Sequence, residues 1–315
     1  MKVLLTGATG FVGREVLQQA HAAGHDLRLL VRDPAAASAR ALAARFAAVL
    51  RAGNVLDAAS LTGAVGGCDA VLHLVGIISE IGAQTFENVH LRATQNVLAA
   101  ARAAGARRFV HMSALGARPN AVSRYHQSKW AAEEAVRASG LDWTIFRPSL
   151  IFGPEDHFVN LFARVSRFSP VLPVMGSGRA LLQPVAVEDV AAGFVRALTQ
   201  PASFAQTYDL CGPDTFTLPD ILRLILEVTS RRRLVLHLPM PLARCLAALL
   251  EKLFPAILHR ASPLNRDQLL MLLEDNVGDA TPAFTLFGIQ PTTFEQGIRS
   301  YLGQAGAGAA EPKSA

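Results

Sequence analysis

The chain has 315 residues, 51% of them hydrophobic and 17% charged. That is enough to bury the core of a large α/β domain plus a smaller lobe, and too apolar for a disordered chain. The net charge of +5 comes without a Lys/Arg stripe interleaved with aromatics, which argues against nucleic acid as a partner.

The elements alternate along the first half. Val3 to Thr6 is an apolar run ending in glycine. Phe11 to Ala23 follows with Val12, Val16, Leu17 and Ala20 at helical spacing, and Gly24 closes it. Leu27 to Val31 reads as strand, Pro34 to Phe46 as helix, Ala48 to Leu50 as a short strand and Ala70 to Val75 as strand. A long helix over Thr85 to Ala104, a strand over Arg108 to Met112, a helix over Tyr125 to Ser139 and a strand over Trp143 to Arg147 complete the series. Parallel strands need crossover helices, so this rhythm predicts an α/β Rossmann fold, a doubly wound parallel sheet. Beyond Gly153 the rhythm breaks into an irregular stretch with Pro170, Pro173, Gly176 and Gly178. After it come a helix over Val185 to Leu198, a strand at Tyr208 to Leu210 and a helix over Leu218 to Thr229. The expected organisation is a dinucleotide-binding domain over 1–152, a smaller C-terminal substrate lobe over 153–302 that can interleave with it, and a disordered tail over 303–315. No internal repeat is evident.

Cys68, Cys211 and Cys245 stand far apart, and neither CxxC nor HExxH occurs. No metal site or disulfide framework is expected, and a reducing compartment fits. The first strand begins at once, and no apolar run reaches the roughly 18 residues of a membrane-spanning helix. The expected location is the cytoplasm, or the periphery of the inner membrane.

Glycine recurs every third position after the first strand, at Gly7, Gly10 and Gly13. Gly7 permits a tight turn, Gly10 lets a pyrophosphate approach backbone amides, and Gly13 lets the helix pack close to the strand. Thr9, Phe11 and Val12 complete this loop at the positive end of the helix. The second strand ends in Arg32-Asp33. Arg32 could pair with the 2′-phosphate of NADP(H), which is the favoured cofactor; Asp33 could instead serve the ribose hydroxyl of NAD(H).

Tyr125 and Lys129 lie four residues apart on one helical face. A free phenol titrates near ~10, and a neighbouring ammonium is expected to lower that value. Ser113, at the end of a strand, could hydrogen-bond a substrate oxygen.

Together these pieces resemble the short-chain dehydrogenases/reductases (SDRs) of the extended or atypical kind, related to nucleotide-sugar epimerases. The matching segments are Thr6 to Gly13, His73-Leu74-Val75-Gly76, Asn88-Val89, Thr94 to Leu98, Ser113, Tyr125 to Lys129 and Arg147-Pro148. The resemblance implies Tyr125 as acid/base, Lys129 as ribose anchor, Ser113 as substrate polariser and Asn88 in a proton-relay helix. It also implies that Leu74, Val75, Gly76, Pro148 and Ile151 line the cofactor and that Asn54-Val55 holds the adenine, with Asn where the family usually has Asp. The segment Phe152-Gly153-Pro154-Glu155-Asp156-His157-Phe158-Val159-Asn160 is similar to that of the nucleotide-binding accessory subunit of respiratory complex I, its bacterial relatives and an SDR-like protein of ubiquinone biosynthesis.

Leu242 to Phe254 forms an apolar helix with a narrow stripe of Arg244, Glu251 and Lys252. It reads either as a buried helix of the lobe or as a contact with a membrane or membrane complex. Two functions follow from the whole: an NADP(H)-dependent oxidoreductase or epimerase-like enzyme on a small or quinone-related substrate, or a non-catalytic NADP(H)-binding accessory or regulatory protein of a respiratory or quinone-biosynthesis membrane complex.

Overall fold

The structure is a computed structural model, and it describes residues 1–254, 257, 262 and 264–307. β1 (Lys2–Thr6) runs into α1 (Phe11–Ala22), followed by β2 (Asp26–Val31), α2 (Ala37–Arg45), β3 (Val49–Ala52), α3 (Ala58–Val65) and β4 (Ala70–His73). A π-helical turn over Glu87–Arg92 continues directly into α4 (Ala93–Ala103), then β5 (Arg108–Met112), α5 (Arg124–Arg137) and β6 (Asp142–Pro148). The second half holds β7 (Ile151–Phe152), α6 (Phe158–Phe168), β8 (Val171–Met175), β9 (Leu181–Leu182), β10 (Val185–Ala186), α7 (Val187–Ala197), β11 (Gln206–Leu210) and β12 (Phe216–Thr217). It ends with α8 (Leu218–Val228), β13 (Leu234–Leu238), α9 (Met240–Leu253), α10 (Arg266–Met271), α11 (Thr281–Phe287) and α12 (Phe294–Ala307).

The seven-stranded sheet has the order β11-β6-β5-β4-β1-β2-β3, and every pair in it is parallel. It is the doubly wound Rossmann sheet expected from the alternation. Because parallel strands bury both faces, the strand residues are apolar on both sides. Val3, Leu5, Leu29 and Leu72 pack toward α1 and α7, while Leu4, Val71, Phe109 and Ile145 pack toward α3, α4 and α5. Strand order reverses between β1 and β4, the place where such sheets bind ligands.

The chain does not divide at residue 152. β11 pairs with β6 at the edge of the large sheet, and Val187, Val190 and Phe194 of α7 belong to the sheet's core. The C-terminal lobe has its own core, in which Phe152, Val159, Leu172, Ile221, Leu222, Ile225, Phe294 and Ile298 meet. The two units interleave, since the chain leaves the large sheet after β6 and returns to it for α7 and β11.

Local expectations are corrected at three places. Val171–Met175 forms strand β8 despite Pro173, because it pairs only with β13 and an edge position needs no amide from the proline. Val185 and Ala186 form a short strand with β7, so the helix begins only at Val187. Residues 303–307 belong to α12 and not to a tail, because the buried Phe294, Ile298 and Leu302 hold that helix on the lobe. Residues 308–315 of the expected tail lie outside the described residues.

Candidate active site

The loop between β1 and α1 is built around missing side chains. Gly7 has φ of +81°, and a Cβ there would lie 3.2 Å from the Leu74 carbonyl carbon. A Cβ on Gly13 would lie 2.1 Å from the Gly7 carbonyl oxygen and 2.8 Å from the Ala8 Cα. These clashes are with backbone, which cannot swing aside, so α1 approaches β1 this closely only with glycine. Gly10 caps α1 without any side-chain hydrogen bond. The amides of Phe11, Val12 and Gly13 therefore point out of the helix end with no carbonyl inside it to bond. Partial positive charge and free N–H groups together suit a diphosphate.

The other dinucleotide positions lie around this cradle. Val12 is buried, and the half-buried Phe11 packs against Gly153, where a Cβ would stand 3.1 Å from the Phe11 ring. The Thr9 carbonyl accepts from Arg14, which also pairs with Glu155. Arg32 is exposed just beyond β2, with no ion pair among the described residues, whereas Asp33 accepts from the Ala35 amide at 2.8 Å. Asn54 is exposed and accepts from the Leu56 amide; the Val55 carbonyl accepts from Asn96. Leu74 and Val75 pass under Gly7, and Pro148 and Ile151 lie at the end of β6 and in β7.

The Glu155-Asp156 segment has a structural role. Asp156 is buried, and its carboxylate accepts from the amides of Gly153, Val159 and Asn160 and from the Tyr301 hydroxyl. It fixes the start of α6 and ties it to α12.

At the other end, α5 carries Tyr125 and Lys129. Lys129 is buried, and its Nζ donates to the Met112 carbonyl at 3.0 Å. A Cβ on Gly76 would lie 3.1 Å from that Nζ and 3.6 Å from His90 Nε2. Gly76 thus leaves room above the ammonium. Tyr125 is half-buried between Phe86, His90 and His126 at ring separations of 5.8, 5.3 and 5.3 Å. Its hydroxyl makes no hydrogen bond among the described residues. Burial pushes its phenol up to about 12, and Lys129 adds no lowering. The expected depression of the phenol by the ammonium is corrected: burial disfavours both charged forms, taking Lys129 itself down to about 8, against which Glu133 holds it partly up.

Two residues expected to act at the site are hydrogen-bonded within the protein. Ser113 is buried, and its Oγ donates to Glu133 at 2.5 Å. Glu133, fully buried, also receives Arg147 at 2.6 and 2.8 Å and Arg137 at 2.6 Å. The Ser113 hydroxyl therefore has a protein acceptor in Glu133. Asn88 donates to the Ala83 carbonyl at 2.9 Å. The π turn inserts a residue relative to α-helical spacing, so the buried side of this helix carries Phe86, Val89, His90 and Ala93 in place of Asn88.

His90 is the residue sequence reading missed. Its Nδ1 shares a hydrogen bond of 2.8 Å with Ser128 Oγ, and its Nε2 meets the Ile77 amide and carbonyl at 3.1 Å. Burial, then the charge of Lys129, lowers His90 to about 2 and His73 to about 3, so both rings are neutral. Asp267 was missed too. Its carboxylate accepts from the backbone amides of Arg124 at 2.7 Å and Tyr125 at 3.0 Å, so α10 holds the start of α5 from 142 residues away. No local pattern announces such a contact.

A family model described as NAD(P)H-binding matches residues 7–201. The chain belongs to the NAD(P)H-binding family. Among its relatives is the mitochondrial NADH dehydrogenase [ubiquinone] 1 alpha subcomplex subunit 9 of Arabidopsis thaliana, 30% identical over 278 residues, covering 86% of this chain and 69% of the relative. A protein named ceramide reductase from Caulobacter vibrioides is 34% identical over 241 residues, with 76% and 74% covered. Among solved structures, a dTDP-glucose 4,6-dehydratase from Streptomyces venezuelae with NAD bound superposes with a TM-score of 0.75 at 20% identity, over 96% of each chain. The fold is that of this dehydratase, in agreement with the resemblance to the SDRs read from the sequence. The cradle agrees with this family: any Cβ at Gly13 or Gly7 would occupy the space in which backbone meets backbone beneath a diphosphate.

Proposed function

We propose that this protein is an NADP(H)-dependent oxidoreductase in which Tyr125 gives a proton to the oxygen of a carbonyl substrate. The observation that carries the reading is the Tyr125 hydroxyl: neutral, free of protein partners among the described residues, and on the same helix face as a buried ammonium. A bound reduced nicotinamide supplies the hydride. Tyr125 supplies the matching proton, so the carbonyl becomes an alcohol. Lys129, held against the Met112 carbonyl beside Gly76, anchors the ribose. Arg32 favours NADP(H) over NAD(H), since its guanidinium is unpaired among the described residues while Asp33 is occupied by its own turn. The substrate class proposed is a small or quinone-related carbonyl compound, and the proposed location is cytoplasmic or peripheral on the inner membrane. No helix among the described residues is long and apolar enough to cross a membrane.

A second reading has an observation of its own. Ser113 is bound to Glu133 and Asn88 to Ala83, so two of the four expected catalytic groups already have protein partners. This favours a non-catalytic NADP(H)-binding accessory protein of a membrane complex, with the outer face of α9 as its contact. Tyr125→Phe separates the two. Under the first reading it abolishes NADPH oxidation with a panel of aldehydes, ketones and quinones, and it leaves the NADPH Kd within about twofold, because no hydrogen bond to the protein is lost. No turnover in wild type across the panel, with cofactor tightly held, supports the second. NADH binding more tightly than NADPH in the same titration overturns the role given to Arg32.

A further inference from the structure

We infer that one face of the C-terminal lobe, formed by α9 and the outer side of β13, seats on an anionic phospholipid bilayer. The inference goes beyond the reaction proposed for Tyr125 and does not depend on it. α9 is packed the reverse way from a core helix. Its small residues Ala243 and Ala247 are buried, against Leu269 with Met175, Leu238 and Met240 alongside. Its large residues Leu242, Leu246, Leu249 and Leu253 are 38–56% exposed. Their spacing of four, three and four puts them in one stripe along the helix.

The apolar face continues beyond the helix. Alternation along β13 places Leu234, Leu236 and Leu238 on one side, and Leu238 is the member that packs on α9. Leu234 and Leu236, 64% and 52% exposed, extend the same side away from the helix. Next to them lies Phe168 at the end of α6, 89% exposed, because the Leu234 amide bonds the Pro170 carbonyl two residues on.

Charge selects the occupant. Residues 158–176 contain no Asp or Glu, and 230–254 contain only Glu251, which is bound to Arg266. Arg231 and Arg233 tie the start of β13 to α6 through Ala163 and Ser166. Arg164, Arg167, Arg232, Arg244 and Lys252 are exposed and make no ion pair among the described residues. Leucines ringed by unpaired cations match an anionic headgroup layer over hydrocarbon. A second copy would bring the same cations against themselves in a twofold contact, which opposes dimerisation through this face. At 14 residues α9 is about 21 Å long, too short to span, so it lies flat.

The test is co-sedimentation of the full chain, loaded with NADPH, with phosphatidylcholine vesicles with and without phosphatidylglycerol. Wild type is expected to pellet with the anionic vesicles only, and about tenfold less in high salt. Leu246→Asp with Leu249→Asp is expected to lower the partition coefficient at least about tenfold while thermal unfolding and NADPH titration stay as in wild type, both positions being exposed. Arg244→Gln with Lys252→Gln, which leaves the leucines intact, is expected to lower binding to the anionic vesicles alone. No pelleting of wild type that still binds NADPH overturns the inference, as does binding by both double variants equal to that of wild type. A wild-type dimer in sedimentation velocity that the aspartate variant converts to monomer assigns the face to a second copy and overturns it as well. Loss of NADPH binding with vesicle binding intact would instead count against the cofactor reading.

Discussion

The diphosphate cradle lies in one loop and is made of backbone, whereas the tyrosine end gathers backbone and side-chain groups from five separated segments: Gly76–Ile77, His90, Met112–Ser113, α5 and Asp267. In the cradle a residue's role follows from what it lacks. Gly13 does its work by having no Cβ within reach of the Gly7 carbonyl, and nothing elsewhere in the chain can reassign that. At the tyrosine end a role depends on which partner arrives. Ser113 stands just after β5, where the resemblance implies a substrate contact, and its hydroxyl donates to Glu133. A role therefore follows from the residue itself at a backbone site and from its partners at a side-chain site.

The largest expected effect tests the side-chain end. Glu133→Gln removes the charge that holds Arg147, Arg137 and Ser113 together at the C-terminal ends of β5 and β6. Breaking one partner of a buried ion network costs about 3–5 kcal/mol, and because both arginines keep some solvent contact the lower end, about 3 kcal/mol, is expected in urea unfolding. A change under about 1 kcal/mol would mean that the network does not organise this end. Next is Gly13→Ala. An alanine would gain about 1 kcal/mol in helix propensity, but its methyl would meet the Gly7 carbonyl at 2.1 Å. Overpacking of about 1–3 kcal/mol or more outweighs the gain. Net destabilisation with NADPH binding lost is expected; a stabilised protein that binds normally would break the backbone account of the cradle.

Lys129→Met has a smaller effect with a sign that can be read in pH. Below about 8 the ammonium predominates, and raising pH through 8 removes its charge. If Lys129 anchors the cofactor, wild-type NADPH affinity falls as pH rises past 8. The Met variant binds about tenfold more weakly, about 1.4 kcal/mol, and shows no such step. A wild-type profile flat from pH 7 to about 9 would remove Lys129 from the binding interaction.

Legibility in the sequence followed the same divide. The strands β1, β2, β4, β5 and β6 are buried apolar runs and were placed within a few residues, as were α1 and α5 with their amphipathic spacing. The glycine triad was read with its reasons, each of which is local. α3 went unread because its Gly63 and Thr62 interrupt an eight-residue helix, and α6 because its residues were read as a motif. The π turn that carries Asn88 leaves no mark in a single sequence. Asp267 and Glu133 acquire their roles only when α10 and β6 arrive beside α5, so neither could be inferred from neighbours in sequence.

The smallest effect isolates surroundings from residue type. Gly63 is helical like Gly13, but a Cβ there meets nothing within 4 Å. Gly63→Ala should therefore collect the helix-propensity gain without a steric term, raising stability by about 0.5–1 kcal/mol and leaving NADPH affinity untouched. Set beside Gly13→Ala, the same substitution then has opposite signs at two helical glycines of one domain, and the Gly7 carbonyl is what separates them. If both variants shift stability in the same direction, close approach of α1 to β1 is not what demands glycine at position 13, and the cradle's specificity would have to come from side chains after all.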